Sequence, residues 1–127
     1  MKLWRYSGWM LLGTGVIHNA VGLLLGWDII GRMVKEGLWA TVGMDAERNA
    51  VFWFLAAGFA WMAAGHLMQI WIRREGRPVP AAAGWYMLAF AAAGCLLAPD
   101  SGIWLFLPQA AIILAADRAR HRDTAGP

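Results

Sequence analysis

Apolar residues in this chain fall into long unbroken runs and do not alternate as they would in a half-buried strand. No Asp, Glu, Lys or Arg interrupts Tyr6–Trp27, Ala50–Ile72, Val79–Pro99 or Ser101–Ala116. A membrane-crossing helix needs about 20 mostly apolar residues. The pattern therefore predicts four spans, over residues 6–27, 50–72, 80–98 and 102–117. The last is the shortest and needs little tilt, local bilayer thinning or shelter within a bundle.

Between the first two spans the pattern changes. Ile30, Met33, Val34, Leu38 and Val42 recur at helical spacing, with Asp28, Arg32, Lys35 and Glu36 on the other side. Residues 28–49 thus predict an amphipathic segment that lies in the outer interface or folds over the bundle mouth as a lid. Trp39 would anchor it and Gly43 would end it. Asp45 is placed to cap the second span, with Glu47 in its first turn. Pro108 is expected to kink the fourth span and free a carbonyl near Gln109. The polar tail, 118–127, is expected to fray. The fold class that follows is all-α: an integral membrane four-helix bundle in a single domain, with an interfacial helix between spans one and two.

Composition agrees, with 60% hydrophobic and only 15% charged residues in a chain of 127. The formal charge of +3 does not point to nucleic acid, because the basic residues line no soluble face. Eight of the eleven Lys and Arg residues lie in three segments: Lys2 and Arg5, then Arg73, Arg74 and Arg77, then Arg118, Arg120 and Arg122. Four spans put all three segments on one side, which the positive-inside rule makes the cytoplasm. Both termini are then cytoplasmic. The first span has the basic start of a secretory leader, but its length, its Trp residues and the lack of an A-x-A site favour a retained helix. The single cysteine, Cys95, rules out an internal disulfide and any Cys-pair metal site.

The candidate chemistry is what stays polar inside the runs: Thr14, His18, Asn19, His66, Gln69 and Gln109. Charged residues are missing from the central part of every span, which argues against a pump or an ion-coupled transporter. No nucleophile with its base, carboxylate pair or metal cluster is offered, so the chain reads as no enzyme. Thr14, His18, Gly22 and Gly26 lie four apart on one stripe of small and polar residues, which should face protein. Met62, His66 and Gln69 share a face of the second span. Three readings stay open. The polar residues hold helices together; or His18, His66, Gln69, Gln109, Thr14 and Met62 line a pocket for a lipid or hydrophobic small molecule; or the two histidines hold haem or a metal. A depth offset of about 6 Å between them fits bis-histidine haem poorly. The Gly stripes and interfacial Trp residues are compatible with a homo-oligomer or a monomer.

There is also an internal echo, "GWMLLG" at Gly8–Gly13 and "GWYMLA" at Gly84–Ala89, opening the first and third spans alike. The order "RYSGWMLLGTGVIHNAVGLLLGW", "AERNAVFWFLAAGFAWMAAGHLMQIWI" and "PVPAAAGWYMLAFAAAGCLLAPDSGIWLFLP" resembles a family of small bacterial four-helix inner-membrane proteins of unknown function. Gly8, Trp9, Gly13, His18, Gly22, Gly65, His66 and the turn Pro99–Gly102 carry the resemblance. In architecture the chain is also similar to DoxX-like membrane proteins. The resemblance implies the fold and a location in the inner membrane, and supplies no reaction.

Overall fold

The computed structural model describes the backbone of residues 2–124 and the side chains of residues 2–122. Among the described residues every regular element is a helix. A 3-10 turn, Leu3–Tyr6, leads into α1 (Ser7–Leu25), followed by α2 (Trp27–Glu36), α3 (Ala46–Glu75), α4 (Ala81–Leu97), a second 3-10 turn (Gly102–Leu105) and α5 (Phe106–Thr124). Three stretches are long and apolar enough to cross a membrane: Leu3–Leu25, Ala46–Glu75 and Gly102–Arg122. α4 is apolar but has 17 residues, about 26 Å at 1.5 Å per residue. The short element is therefore the third, where the sequence pattern expects the fourth. Such a set of helices is that of a multi-pass membrane protein.

The helices pair as two hairpins, α1 with α3 and α4 with α5. The first is held at backbone distance. Gly8 and Gly15 of α1, seven residues apart, meet Gly65 and Gly58 of α3, also seven apart, while Gly22, the next in the α1 repeat, packs against the Phe54 and Leu55 side chains. A Cβ at Gly8 would lie 2.5 Å from the Gly65 carbonyl oxygen, and one at Gly15 would lie 2.7 Å from that of Gly58. Glycine is required here because only hydrogen leaves room for the facing backbone. The stripe spaced by four also faces protein as expected: Thr14 is buried, His18 and Gly22 meet Phe54 of α3, and Gly26 meets Val51.

The second hairpin packs through side chains. Gly84 of α4 faces Leu114 and Ile113 of α5, while Ala91 and Ala110 are fully buried. Phe106, Ala91 and Leu11 form one core cluster, and Ile72, Val79 and Ile113 form another toward the termini. The two echoing motifs have matching positions, since Gly8 and Gly84 each face the partner helix of their own hairpin.

Three expectations are corrected. The amphipathic helix ends at Glu36, because Gly37 has φ of 100° and Ala40 and Gly43 also have positive φ. Leu38 and Val42 lie in the loop beyond it, and Trp39 is 96% exposed there. Pro108 is the third residue of α5, where the missing N–H has no intrahelical partner to lose; it stands at the start of the α-helix, just after the 3-10 turn, and not in its middle. α5 also continues through Thr124, well into the segment expected to fray, and its basic last turn suits the helix dipole. The remaining tail residues, 125–127, lie outside the described residues.

Candidate functional site

Where the two hairpins meet, their packing leaves a cavity of about 350 Å³. α1 contributes Thr14, Ile17, His18, Val21 and Leu25, and α3 contributes Phe54 and Trp61. The turn between α4 and α5 closes the outer end with Asp100–Ile103, and Leu105 and Phe106 complete the lining. The turn is itself ordered: Ser101 Oγ donates to the Ala98 carbonyl at 2.7 Å, and Trp104 Nε1 donates to that of Pro99 at 2.8 Å. The lining is apolar apart from Thr14, His18 and the Asp100–Ser101 rim.

His18 is held in place from two directions. Its ring stacks on Phe54 with centroids 3.8 Å apart and planes 10° from parallel, and Trp61 tilts against it at 4.5 Å. Nε2 lies 3.0 Å from the Phe54 carbonyl oxygen. A carbonyl only accepts, so Nε2 carries the proton and Nδ1 of the neutral ring is left as an acceptor. Trp61 joins Phe90 and Phe106 edge-to-face, at 5.7 and 4.8 Å, so the aromatic wall runs from α1 across α3 to both helices of the second hairpin.

The other polar residues of the spans bind helix to helix. Gln69, 5% exposed, accepts from the Trp9 N–H at 3.2 Å and donates to the Arg5 carbonyl at 2.9 Å. It thereby satisfies one of the unpaired amides at the start of α1. Gln109 Nε2 donates to Thr14 Oγ1 at 2.8 Å and to the Leu105 carbonyl at 3.0 Å, joining α5 to α1. Its Oε1 is buried without a partner. Thr14 donates in turn to the Met10 carbonyl. Asn19 lies beside His18 against Gly58, and its Nδ2 is 4.0 Å from Met62 Sδ.

The structure thus brings Thr14 and His18 into one cavity and links Gln109 to it through Thr14. Met62 sits in the α1–α3 seam beneath Gly15. Gln69 lies near the termini. His66 is exposed on α3 and does not line the cavity. Gly65, its neighbour, is the residue that turns inward. The shared His18–His66 site that the sequence suggests is therefore not formed, and the haem reading loses its second ligand. Sequence reasoning missed the apolar lining of α1, and on the other elements Phe54, Trp61, the Asp100–Ile103 turn, Leu105 and Phe106. A seven-residue frame through Val51, Gly58, Gly65 and Ile72 would have put Phe54 and Trp61 on one flank of the seam.

A second polar cluster orders the outer loop. The Arg48 guanidinium donates to the Thr41 carbonyl and hydroxyl, both at 2.9 Å, and pairs with Glu36. Its side chain is only 16% exposed. Asp45 caps α3 by accepting from the Arg48 backbone N–H at 2.9 Å. That bond, with the Arg48 charge behind it, holds the Asp45 carboxyl below its usual range. Arg32 pairs with Glu47 at 2.9 Å. This rim cluster is built around Arg48 and joined to α2 through Glu36 and Arg32.

A model for a family of unknown function, DUF6463, matches residues 2–120. No curated protein and no solved structure matches the chain, so the likeness to DoxX-like proteins rests on the sequence pattern alone.

Proposed function

The chain belongs to this family of unknown function, and from that premise, which brings no reaction with it, we propose that it is a non-enzymatic membrane protein. It spans the inner membrane four times with both termini cytoplasmic, and it binds a hydrophobic small molecule or lipid in the cavity between its hairpins. The observation that carries this reading is the single imidazole held by Phe54 and Trp61 in a mainly apolar cavity. Small-ligand sites have this form: apolar walls with one or two polar groups that fix orientation. About 350 Å³ is enough for a ring system or the head of an amphiphile.

The tautomer narrows the ligand. With Nε2–H committed to the Phe54 carbonyl, Nδ1 favours a guest bearing a hydroxyl or other hydrogen-bond donor. The turn at Asp100–Ser101 forms the outer rim, and an elongated guest would lie with its second polar end there. α2 and its loop are tied to the start of α3 by Arg48, through Glu36 and Thr41.

A structural role is the second reading, favoured by Gln69 and the Gln109–Thr14 pair, whose hydrogen bonds run between helices. His18→Phe separates the two. Phenylalanine keeps the stack on Phe54 and removes both ring nitrogens. Native mass spectrometry of the purified protein, with lipid extraction, is expected to recover one recurrent molecule from wild type and to lose it in this variant, while helix content and melting stay unchanged. Equal recovery from both, or no recurrent molecule in wild type, overturns the binding reading.

A further inference from the structure

Toward the termini the molecule has a larger open groove, of about 660 Å³, well away from His18. Its floor is the small and apolar face of α5, including Ile112 and Ala116, and Trp4 stands at one side. Trp4 is also packed against the buried cluster of Ile72, Val79 and Ile113, so this wall is part of the core. Around the rim are Lys2, Arg77 and Arg120, each from a different segment of the chain.

We infer that this groove is a binding site for one anionic phospholipid of the inner leaflet. The phosphate would sit among Lys2, Arg77 and Arg120, with an acyl chain along the α5 floor. The argument rests on charge complementarity and continuity. Three cations converge on an apolar surface that runs on into a helix long enough to cross the bilayer, on the side that holds eight of the eleven basic residues. Basic pockets between helices on the cytoplasmic side suit anionic headgroups for this reason. Arg5 lies over the Trp4 ring at 5.7 Å and adds positive charge behind the wall.

The cations are oriented by their surroundings. Arg77 lies over the Trp71 ring at 5.3 Å and 3.2 Å from Glu75, which keeps its guanidinium at the rim. Asp117 carries the nearby negative charge on α5 and is 3.5 Å from His121. A phosphate therefore competes with Glu75 for Arg77. The geometry favours a planar guanidinium facing a phosphate over a bare point charge.

The test is lipid retention by the full-length protein, with phosphatidylglycerol and phosphatidylcholine supplied in equal amounts before detergent washing and native mass spectrometry. Wild type is expected to retain one phosphatidylglycerol in preference to phosphatidylcholine by about tenfold, and Arg77→Gln with Arg120→Gln to lose that preference. Arg118→Gln with Arg122→Gln removes the same charge outside the groove and should keep it. His18→Phe should keep it as well, which separates this site from the cavity between the hairpins. Equal retention of the two lipids by wild type overturns the inference. So does equal loss in both double variants, which would reflect general surface charge, or release of the bound lipid by inorganic phosphate, which would mark a soluble-anion site.

Discussion

The two hairpins are built from different contacts. α1 and α3 meet at glycines, so that backbone lies against backbone, while α4 and α5 meet through Ala91, Ala110, Ile113 and Leu114. Glycine seams give close approach and many small dispersion contacts, but no side chain that can yield. Side-chain seams can repack. The cavity lies where the rigid hairpin meets the adaptable one, walled by Phe54 and Trp61 on one side and by Leu105 and Phe106 on the other. A ligand site placed there has one wall that fixes the imidazole and one that can adjust to a guest.

The sharpest way to break this contrast is to add one methyl group to each seam. In Gly15→Ala the new carbon meets the Gly58 carbonyl oxygen at 2.7 Å and the Met62 amide nitrogen at 2.8 Å. Neither can rotate away, and a loss of about 1–3 kcal/mol is expected. In Gly84→Ala the nearest atom is Leu114 Cγ at 2.8 Å, a side-chain atom that can move, and a loss below about 1 kcal/mol is expected. Gly13 has nothing within 4 Å. Gly13→Ala should be neutral or stabilising by up to about 1 kcal/mol. Unfolding in mixed detergent micelles measures all three, and equal losses at Gly15 and Gly84 would end the distinction between the hairpins.

The buried glutamines sharpen it further. Both polar ends of Gln69 are paired with the backbone at the start of α1. Gln69→Leu should therefore cost about 1–2 kcal/mol. Gln109→Leu removes the bond to Thr14 but also removes a buried oxygen that has no partner. Its expected cost is nearer zero, since an unsatisfied buried acceptor is itself unfavourable. Similar losses for the two variants, in the same unfolding assay, would show that the unpaired Gln109 oxygen does not offset its bond to Thr14, and that the clamp within the first hairpin is no stronger than the one between the hairpins.

The helices were legible from sequence because uncharged runs of membrane length leave few alternatives. Asp45 was also legible, because a carboxylate before a helix has a local task that needs no knowledge of the fold. The site was only partly so. Thr14 and His18 could be placed on an inward face from their own helix, but which residues of α3 they meet depends on the antiparallel register. That register is set by Gly8 against Gly65 and Gly15 against Gly58, a repeat of seven that a search for residues four apart passes over. His66 was misplaced for the same reason: one residue separates it from Gly65, and on a helix that step turns a side chain by about 100°. The end of α2 was lost to Gly37 and Ala40, whose positive φ values interrupt a hydrophobic pattern that carries on regardless.

The smallest expected effect concerns what closes the first hairpin at its outer end. There, packing gives way to hydrogen bonds and charge around Arg48, and the second hairpin has only a short turn in the corresponding place. A pH change should therefore separate the two. The Asp45 pKa is lowered in the folded protein from its ordinary value of 3.8, chiefly by the Arg48 backbone N–H. The ionised cap is thus fully in place above that value, and its contribution is lost as pH falls through the lower folded pKa. Amide protection at residues 41–48, taken relative to the intrinsic exchange rate at each pH, should hold down to about pH 4 and fall below it, while protection in α4 stays unchanged. Asp45→Ala should show the faster exchange already at neutral pH, and Asp45→Asn should fall between, because its side-chain oxygen can still accept the Arg48 N–H. Slow exchange in the alanine variant at neutral pH would mean that Arg48, through Glu36 and Thr41, orders the loop without the cap.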